Sequence, residues 1–542
     1  MDTSHLSRHI ATVAMLACTA SPLSAATVTK NDTATMLSNL TDWSAAPAAA
    51  DIGSFNATLS VENAAALTLG GDLSIGNLTF GNSLNGPVTI TDTAKLTLNN
   101  GVAITATAAN HNVTFDCPIV VSVAGNSFEA NSNLSASITF LRSITSSAKI
   151  LWRGGNATFA GGGSYPTLGI GSRTGITSTL SLGADNGIAP GATLIVGEAN
   201  GTARLDLAGF DQSVGALQRG NGTGVIGNSS SEEDSTLTIT GSSSYAGIIQ
   251  DSIGGGTRRV GVTVDGGSFT LTGANTFTGN LAVTSGAFTL ADNASLRFAI
   301  GETPGDCNKI TGAGEVLVSG DFSIDTFSTD YSDLVAGSWK LIDGPELDGL
   351  FDSTFRVISG GIAWTQAGNL WTKASGSKTY TFDASTATLT IAPGGYDAWT
   401  SGHGLSGDDA DFDADPDGDG MSNGLEFVLG GEPNPANANA NSAALLPTCS
   451  RNPAGDLVFT FHRKDDSESP TKLTFQWSTD LTFPSPAQEV SILSVSSTVD
   501  GVAVVVEEDT PDAATDTVTI TVPAAKAPGG RLFCRLVAVQ NP

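Results

Sequence analysis

The feature that most constrains this chain is a run of short strands separated by glycine and asparagine turns at residues 264–296. Segments such as Phe269–Thr272 alternate apolar and polar side chains, as a half-buried β-strand does. Residues 236–247 align with residues 268–279 without a gap, and residues 158–165 are a weaker copy. Because each unit of such a repeat can bury its apolar face only against its neighbours, the pattern predicts a stacked solenoid.

The repeat also resembles a known family. Residues 267–279 read Gly-x-x-Thr-Leu-Thr-Gly-x-Asn-Thr-Phe-Thr-Gly, and residues 283–290 continue as Val-x-x-Gly-x-Phe-x-Leu. This segment resembles the autotransporter-associated β-strand repeat, with Phe277 in its aromatic position and Phe288 where the repeat often has leucine. That repeat occurs in parallel β-helical parts of large secreted bacterial surface proteins, so the resemblance implies this fold and this location.

Composition and strand patterning extend the prediction to an all-β chain. Charged residues make up only 14% of the sequence, but 40% of residues are hydrophobic, so the low charge does not indicate disorder. Alternating segments such as Val88–Thr91 are separated by turn residues at short spacing. We therefore predict a right-handed parallel β-helix with its capping region over residues 26–392. We expect the bulky Trp339, Trp364 and Trp371 to cover its stacked core, rather than form a sugar-stacking platform.

Residues 1–25 have the features of a secretory signal peptide. Arg8 is followed by the short apolar stretch 10–17, and Ser24–Ala26 offers small residues for cleavage. No later segment has 18 consecutive apolar residues, so we expect no membrane span in the mature chain. The net charge of −29 disfavours binding to nucleic acid. Together these features predict a secreted or cell-surface protein that is exported through the inner membrane.

Removal of the signal peptide, which contains Cys18, would leave four of the five cysteines. An even number of cysteines in an exported chain permits disulfide bonds. Cys449 and Cys534 lie in the same C-terminal segment, and we expect them to be the pair that forms one. Cys117 and Cys307 lie far apart in the predicted solenoid, so they could equally be two buried free thiols.

An aspartate-rich segment carries the clearest chemical motif. Seven aspartates lie between Asp408 and Asp419, within a module that we place at residues 393–433. Residues 415–426 fit the calcium-loop pattern Asp-x-Asp-x-Asp-Gly-x5-Glu at every specified position. Calcium takes six to eight hard oxygen ligands, which this spacing can supply, with Gly420 making the sharp turn. The predicted calcium ligands are the carboxylates of Asp415, Asp417, Asp419 and Glu426, the carbonyl of Met421, and Asn423 directly or through water.

The context of the motif indicates a single loop. A register that starts at Asp413 would place Gly424 at the closing position, so we reject it. Ser422 occupies the position at which a branched aliphatic residue usually pairs two calcium loops. The segment therefore resembles the unpaired calcium loops of dockerin or thrombospondin type. The alternative interpretation is a solvated acidic linker without a metal ion.

The remainder of the chain is predicted to be a separate domain. Residues 423–429 could form a short helix that Gly430–Gly431 and Pro433 end. The Ala/Asn-rich residues 434–444 are interpreted as a linker. Five good strand segments follow within residues 445–542, which suits a small accessory β-sandwich.

The sequence does not assemble a recognisable catalytic site. The mature histidines His111, His403 and His462 lie in different segments, and no nucleophile elbow, Walker loop or zinc-ligand spacing is present. We interpret the chain as an exported, non-catalytic, adhesin- or scaffold-like protein that contacts an extracellular polysaccharide or cell-surface polymer. Two alternatives stay open: a polysaccharide-degrading β-helix enzyme, either a lyase or a glycoside hydrolase, and a carbohydrate-binding protein.

Overall fold

The computed structural model describes residues 25–541, apart from 33–35, 57–58, 107–109, 123–126, 131–135, 173, 327–335, 376–377, 394, 435–441, 469, 484–487 and 513. The chain is all-β and contains a parallel β-solenoid of about 11 turns. It divides into two compact units, the first ending at Gly273 and the second beginning at Ala274. Apart from Ala25, the predicted signal peptide lies outside the described residues.

Among its described residues, the first unit is built from short strands, with one 3-10 turn at Leu40–Asp42 and one helical turn, α1, at Val61–Ala64. Its strands are β1 (Thr27–Thr29), β2 (Ile52–Phe55), β3 (Leu67–Thr68), β4 (Leu73–Ile75), β5 (Asn77–Phe80), β6 (Val88–Thr91), β7 (Leu96–Leu98), β8 (Val102–Ala106), β9 (Val113–Asp116), β10 (Ile119–Val121), β11 (Ser127–Ala130), β12 (Ser137–Phe140), β13 (Ile144–Ser146), β14 (Ile150–Arg153), β15 (Asn156–Phe159), β16 (Gly163–Ser164), β17 (Thr167–Gly171), β18 (Thr177–Leu182), β19 (Thr193–Val196), β20 (Thr202–Asp206), β21 (Gln212–Val214), β22 (Ala216–Arg219), β23 (Thr223–Asn228), β24 (Ser235–Ile239), β25 (Ser243–Tyr245), β26 (Ile248–Ser252) and β27 (Val260–Leu271).

These strands pair in parallel with strands of the preceding and following turns. One sheet has the order β1-β2-β5-β8-β11-β14-β17-β19-β22, a second β3-β6-β9-β12-β15-β18-β20-β23-β26, and a third β4-β7-β10-β13-β16. Strands β21, β24 and β27 form part of a fourth sheet. Ile52 pairs with Asn77 and Val88 with Val113, so the solenoid turns that begin at these two places are equally long. The predicted parallel stacking is thus present in this unit.

The core of the first unit lies between the sheets, and aromatic side chains stack along it. Phe55 and Phe80 stack with ring centroids 4.9 Å apart, and Phe115 and Phe140 stack at 5.4 Å. Phe140 also contacts Phe159 edge-to-face at 5.0 Å. All five rings are fully buried. Successive side chains of a strand point to opposite faces, so the strand residue next to each of these phenylalanines points to the outer face.

The structural register differs from the alignment of the sequence repeat. That alignment matches Ile239 with Leu271 and Tyr245 with Phe277. In the structure, Ile239 of β24 instead pairs with Val264 of β27, and Tyr245 of β25 pairs with Leu271. The two similar sequence segments therefore do not stack directly on each other. The length of each turn determines which residues of successive strands pair. The sequence similarity between residues 236–247 and 268–279 therefore indicates a shared local pattern of strands and turns, and not their register in the solenoid.

Polar side chains in the turns tie successive turns of the solenoid together. Asp72 accepts a hydrogen bond from the backbone N–H of Lys95 at 2.9 Å, and Asp185 accepts one from Asp211 at 2.9 Å. Asp211 in turn accepts one from Thr236 at 2.7 Å. These bonds satisfy backbone donors that the sheets leave unpaired, so several aspartates of this acidic chain have a structural role.

The second unit contains helical segments besides its strands. The helices in its described part are α2 (Gly395–Gly402) and α3 (Asn423–Leu429), with 3-10 turns at Gly407–Ala410, Ser442–Leu445, Asp465–Ser467 and Ala524–Lys526. The strands are β28 (Ala274–Asn275), β29 (Leu281–Leu290), β30 (Ser295–Ile300), β31 (Ile310–Gly312), β32 (Glu315–Val318), β33 (Asp321–Thr326), β34 (Gly337–Lys340), β35 (Ile342–Asp343), β36 (Val357–Ser359), β37 (Ile362–Ala363), β38 (Thr365–Ala367), β39 (Leu370–Ser375), β40 (Lys378–Asp383), β41 (Thr388–Pro393), β42 (Thr448–Arg451), β43 (Leu457–Lys464), β44 (Thr471–Ser478), β45 (Gln488–Ile492), β46 (Ser497–Val499), β47 (Val502–Asp512), β48 (Thr515–Val522) and β49 (Phe533–Gln540).

Parallel stacking ends before residue 392, which corrects the predicted extent of the β-helix. Strand β33 still pairs in parallel with β36, but β34-β41-β40-β39-β38 form an antiparallel sheet. Trp339 and Trp371 of this sheet and the nearby Trp364 are buried. Phe355 packs edge-to-face on Trp371 at 4.8 Å. These tryptophans are therefore core residues, as predicted, and do not form an exposed sugar-stacking platform.

The C-terminal strands form two antiparallel sheets, with orders β42-β43-β48-β47-β46 and β45-β44-β49. Phe459 and Val518 of the first sheet and Phe475 of the second belong to one buried hydrophobic cluster. Met421 and Leu429, from the aspartate-rich module, belong to the same cluster. That module is therefore packed into the core of the C-terminal strands and is more than a flexible connection.

Candidate metal site and hydroxyl row

The three central aspartates of the predicted calcium loop converge. Carboxylate oxygens of Asp415, Asp417 and Asp419 all lie within 4.8 Å of one another. We call residues 415–426 the metal loop. Three carboxylates held this closely repel one another unless a cation or protons neutralise them.

Hydrogen bonds within the metal loop fix these side chains. Asp415 accepts backbone N–H bonds from Gly418 at 2.9 Å and from Gly420 at 3.0 Å, and Asp419 accepts one from Met421 at 2.9 Å. Gly418 and Gly420 have φ angles of 72° and 91°, a region that glycine adopts without steric cost. The two glycines thus let the chain fold its own N–H groups back onto the carboxylates.

Glu426, the closing residue of the motif, lies on α3 with no exposed surface. Its Oε1 accepts a hydrogen bond from Ser442 Oγ at 2.6 Å, whereas Oε2 is buried and has no hydrogen-bond partner among the described residues. Burial, together with the negative charges of the three loop aspartates, raises the pKa of Glu426 to about 7. A buried carboxylate oxygen without a partner is costly, and a proton or a cation bound there would offset that cost.

Asp417 is in a similar position. Its Oδ2 is also buried without a hydrogen-bond partner in the described part of the chain, and desolvation is the main cause that raises its pKa. Nearby Asp419 and Asp415 raise its pKa further. The described carboxylates thus present hard oxygens with unused acceptor capacity, which is the donor chemistry that fits Ca²⁺.

The two other predicted ligands, Asn423 and Met421, are both buried. Asn423 is fully buried at the start of α3, and its Nδ2 donates to the carbonyls of Asp409 at 2.8 Å and Asp411 at 2.9 Å. Asn423 therefore holds the acidic segment that precedes the metal loop. Met421 packs its side chain into the C-terminal core. The roles of the Met421 carbonyl and of Asn423 as calcium ligands stay predictions.

Sequence reasoning missed two residues that shape the site. Ser442, which the sequence places in a linker, contacts both Asp419 and Glu426. Tyr396 of α2 donates to the carbonyls of Ala410 at 3.0 Å and Asp411 at 3.1 Å, and its ring packs against neighbouring phenylalanines. An isolated serine in an Ala/Asn-rich run gives no pattern that could have identified it.

A second acidic cluster has a different character. Carboxylate oxygens of Glu468, Glu508 and Asp516 lie within 4.8 Å of one another, but Arg463 is buried among them. Its Nη2 donates to Glu468 and, at 2.6 Å, to Asp516. The guanidinium already supplies positive charge there, so we interpret this cluster as a structural ion-pair network.

The cysteines that the structure describes are free thiols, two of which face each other. Cys449 lies on β42 and Cys534 on β49, strands of the two C-terminal sheets. Burial, more than the proximity of Cys449, raises the pKa of Cys534 to about 12. Cys117 is buried, and Cys307 lies in the second unit.

A row of hydroxyl side chains crosses the outer face of the sheet that contains β6, β9, β12, β15 and β18. Each member pairs in register with the next member, and we name the set the hydroxyl row: Thr89, Thr114, Thr139, Thr158 and Ser181. All five residues are half-buried. Ser137, Asn156 and Thr179 form a parallel, uncharged row beside it. The next strand pairs charged residues with the ends of both rows: Asp206 with Ser181, which donates to it at 3.1 Å, and Arg204 with Thr179.

Comparison of the chain with models of protein families, with curated proteins and with solved structures found no match. Among the described helices, none is both long enough and apolar enough to cross a membrane.

Proposed function

We propose that this protein is exported and non-catalytic, and that its β-solenoid contacts a neutral extracellular polysaccharide as an adhesin or scaffold. The observation that carries the proposal is the hydroxyl row. We further propose that Asp415, Asp417, Asp419 and Glu426 bind one calcium ion. On this proposal residues 393–433 are a calcium-binding module, and the C-terminal strands from residue 445 form an accessory β-sandwich.

The chemistry of the hydroxyl row matches that of a sugar polymer. A hydroxyl group both donates and accepts hydrogen bonds, as sugar hydroxyls do. Neighbouring strands lie about 4.7–4.9 Å apart, so the five residues extend over roughly 19 Å along the solenoid. A linear polymer with regularly spaced hydroxyls can therefore contact several members at once, and many weak contacts add up to useful affinity.

Charge favours a neutral partner over an anionic one. The chain has a net charge of −29, yet the hydroxyl row contains no charged residue until Asp206. An anionic polymer would be repelled by the surrounding surface, whereas a neutral polysaccharide would not. Desolvation of these uncharged hydroxyls by a neutral ligand costs less than desolvation of charged side chains.

The test of the polymer proposal is a binding assay with the chain from residue 26 to residue 542. The protein is sedimented with insoluble cellulose, chitin and mannan, and the bound fraction is measured. Thr139→Glu should weaken binding about tenfold or more, because an unpaired carboxylate must be desolvated at the contact. Thr145→Glu places the same charge on β13, in another sheet, and is the matched control that should bind like the wild type.

The same samples distinguish binding from catalysis. New reducing ends and unsaturated sugar products are measured after prolonged incubation with calcium. Sustained product release that a single acidic substitution on the solenoid abolishes would contradict the non-catalytic proposal and favour a lyase or hydrolase. Equal binding by Thr139→Glu, Thr145→Glu and the wild type would contradict the role of the hydroxyl row.

The calcium proposal is tested by titration calorimetry. The wild-type chain should bind one calcium ion, and the double variant Asp415→Ala, Glu426→Gln should bind none, because two carboxylates of the set are lost. Lys526→Ala, far from the metal loop in sequence, serves as a control for general effects of substitution. Absence of calcium binding by the wild type, or unchanged binding by the double variant, would rule out the assignment.

A further inference from the structure

Ser442 connects the metal loop to the C-terminal strands. It is the first residue of a 3-10 turn, Ser442–Leu445, that leads into β42, and only 3% of its surface is exposed. It is separated in sequence from Asp419 by 23 residues and from Glu426 by 16 residues. A residue that contacts two carboxylates of one candidate site from a distant segment is suited to orient them.

The hydrogen bonds of Ser442 show which of its groups donate and which accept. Its backbone N–H donates to Asp419 Oδ2 at 2.6 Å, and its hydroxyl donates to Glu426 Oε1 at 2.6 Å. The backbone N–H of Glu432 donates to the same hydroxyl oxygen at 3.1 Å. Since a hydroxyl has one proton to donate, the Glu432 contact leaves that proton for Glu426. Ser442 therefore holds one oxygen of each carboxylate, and Asp419 Oδ1 accepts from Met421, while Oε2 of Glu426 has no hydrogen bond among the described residues.

Gly431 makes this arrangement possible. A Cβ atom at residue 431 would lie 2.6 Å from Ser442 Oγ and 2.8 Å from Glu426 Oε1, closer than van der Waals contact allows. The backbone N–H of Gly431 also donates to the Glu426 carbonyl at 2.7 Å. The glycine therefore leaves room for the serine hydroxyl to reach the carboxylate, which is a second indication that this approach is built into the fold.

We infer that Ser442 is a positioning residue of the metal site, which orients Asp419 and Glu426 for a divalent cation. The inference rests on the proposed calcium binding. Groups that hydrogen-bond metal ligands fix their orientation, and their loss typically weakens metal affinity about 10–100-fold. Because Ser442 leads into β42, and Met421 and Leu429 pack in the same core as the strands, cation binding also stabilises the C-terminal core.

The inference is tested with Ser442→Ala in the full chain. Calcium affinity by calorimetry should fall about tenfold or more, while the backbone N–H contact to Asp419 persists. The calcium-induced rise in unfolding temperature should shrink in parallel. Ser442→Thr, which retains the hydroxyl, should recover most of the affinity. Ser406→Ala is the matched control, because Ser406 is exposed and makes no capping hydrogen bond.

The outcomes separate the two proposals. If the wild type binds no calcium, the calcium proposal fails and the role of Ser442 fails with it. If the wild type binds calcium and Ser442→Ala binds equally well, only the positioning role is overturned. Unfolding in chelator, measured for every variant, identifies a variant that has not folded. If Ser442→Ala does not fold, the test is made with Ser442→Thr. Calcium binding by Ser442→Thr close to that of the wild type supports the positioning role of Ser442. Weak calcium binding by a folded Ser442→Thr protein contradicts it.

Discussion

At the scale of single residues, Glu426 is the side chain whose chemistry most depends on what the site holds. It is fully buried, bonded through one oxygen to Ser442, and surrounded by the negative charges of the metal loop. A proton and a divalent cation therefore compete for the same group. Proton binding favours the site without metal, and deprotonation favours the site with metal.

This competition predicts opposite effects of pH with and without calcium. Burial raises the pKa of Glu426 from 4.5 to about 7, so in chelator its contribution to stability is fully present below about pH 4.5 and is lost as the pH rises to about 7. The loss is at most about 1.4 kcal/mol per pH unit. Calcium affinity should rise over the same interval, because binding requires the carboxylate.

Thermal unfolding and calorimetry at several pH values check this prediction. Glu426→Gln cannot ionise, so the difference in unfolding temperature between wild type and variant in chelator should change between about pH 4.5 and 7. The comparison with the variant cancels the titration of the other carboxylates. A difference that does not change with pH would show that Glu426 keeps its ordinary pKa in the folded chain.

At the scale of elements, local sequence signals predicted some features and failed for others. Helix α3 has the predicted bounds, Asn423–Leu429, because Gly430 adopts the left-handed conformation that ends it. The antiparallel sheet at residues 337–393 was not predicted, because alternation of apolar residues is the same in parallel and antiparallel strands. Ser442 could not be found, because its contacts depend on how distant segments meet. The aspartates of the metal loop could be found, because their spacing is local.

The two C-terminal sheets also carry a testable element-scale contact. Strands β42 and β49 lie at the edges of their sheets and bring the free thiols of Cys449 and Cys534 near each other. We predict that they form a disulfide bond on export. Each thiol loses a proton and one electron, and a protein disulfide that accepts them is reduced to a dithiol. The bond would close most of the C-terminal strands into one loop and stabilise them, typically by about 2–4 kcal/mol.

Intact mass under non-reducing conditions and thiol counting check the disulfide. Protein recovered from an oxidising compartment should lack two hydrogens and have two fewer titratable thiols than the reduced chain. Reductant should lower its unfolding temperature, and Cys449→Ser and Cys534→Ser should have the same effect as reductant. Cys117→Ser is the control, since this buried cysteine is not one of the pair. Two free thiols at positions 449 and 534 after oxidation would refute the prediction.

At the scale of the whole molecule, surface charge and solenoid architecture have separate consequences. Parallel stacking repeats the same outward position at each turn, so a threonine at one position becomes a row without any change in the core. The fold alone is compatible with both enzymes and non-enzymes. The distribution of charge therefore distinguishes two kinds of polymer binding: contact with uncharged hydroxyls, and electrostatic contact with charged residues.

Because the hydroxyl row is uncharged, we predict that binding of neutral polysaccharides is insensitive to salt. Raising the ionic strength from about 0.01 M to about 1 M shortens the Debye length from about 30 Å to about 3 Å, which screens the net charge of −29. Hydrogen bonds between uncharged hydroxyls are not screened in this way, so the affinity for cellulose, chitin or mannan should change little. An anionic polysaccharide should bind only at high salt, or when calcium bridges it to the acidic surface. A steep loss of neutral-polymer binding with salt would instead place the contact on charged residues outside the hydroxyl row.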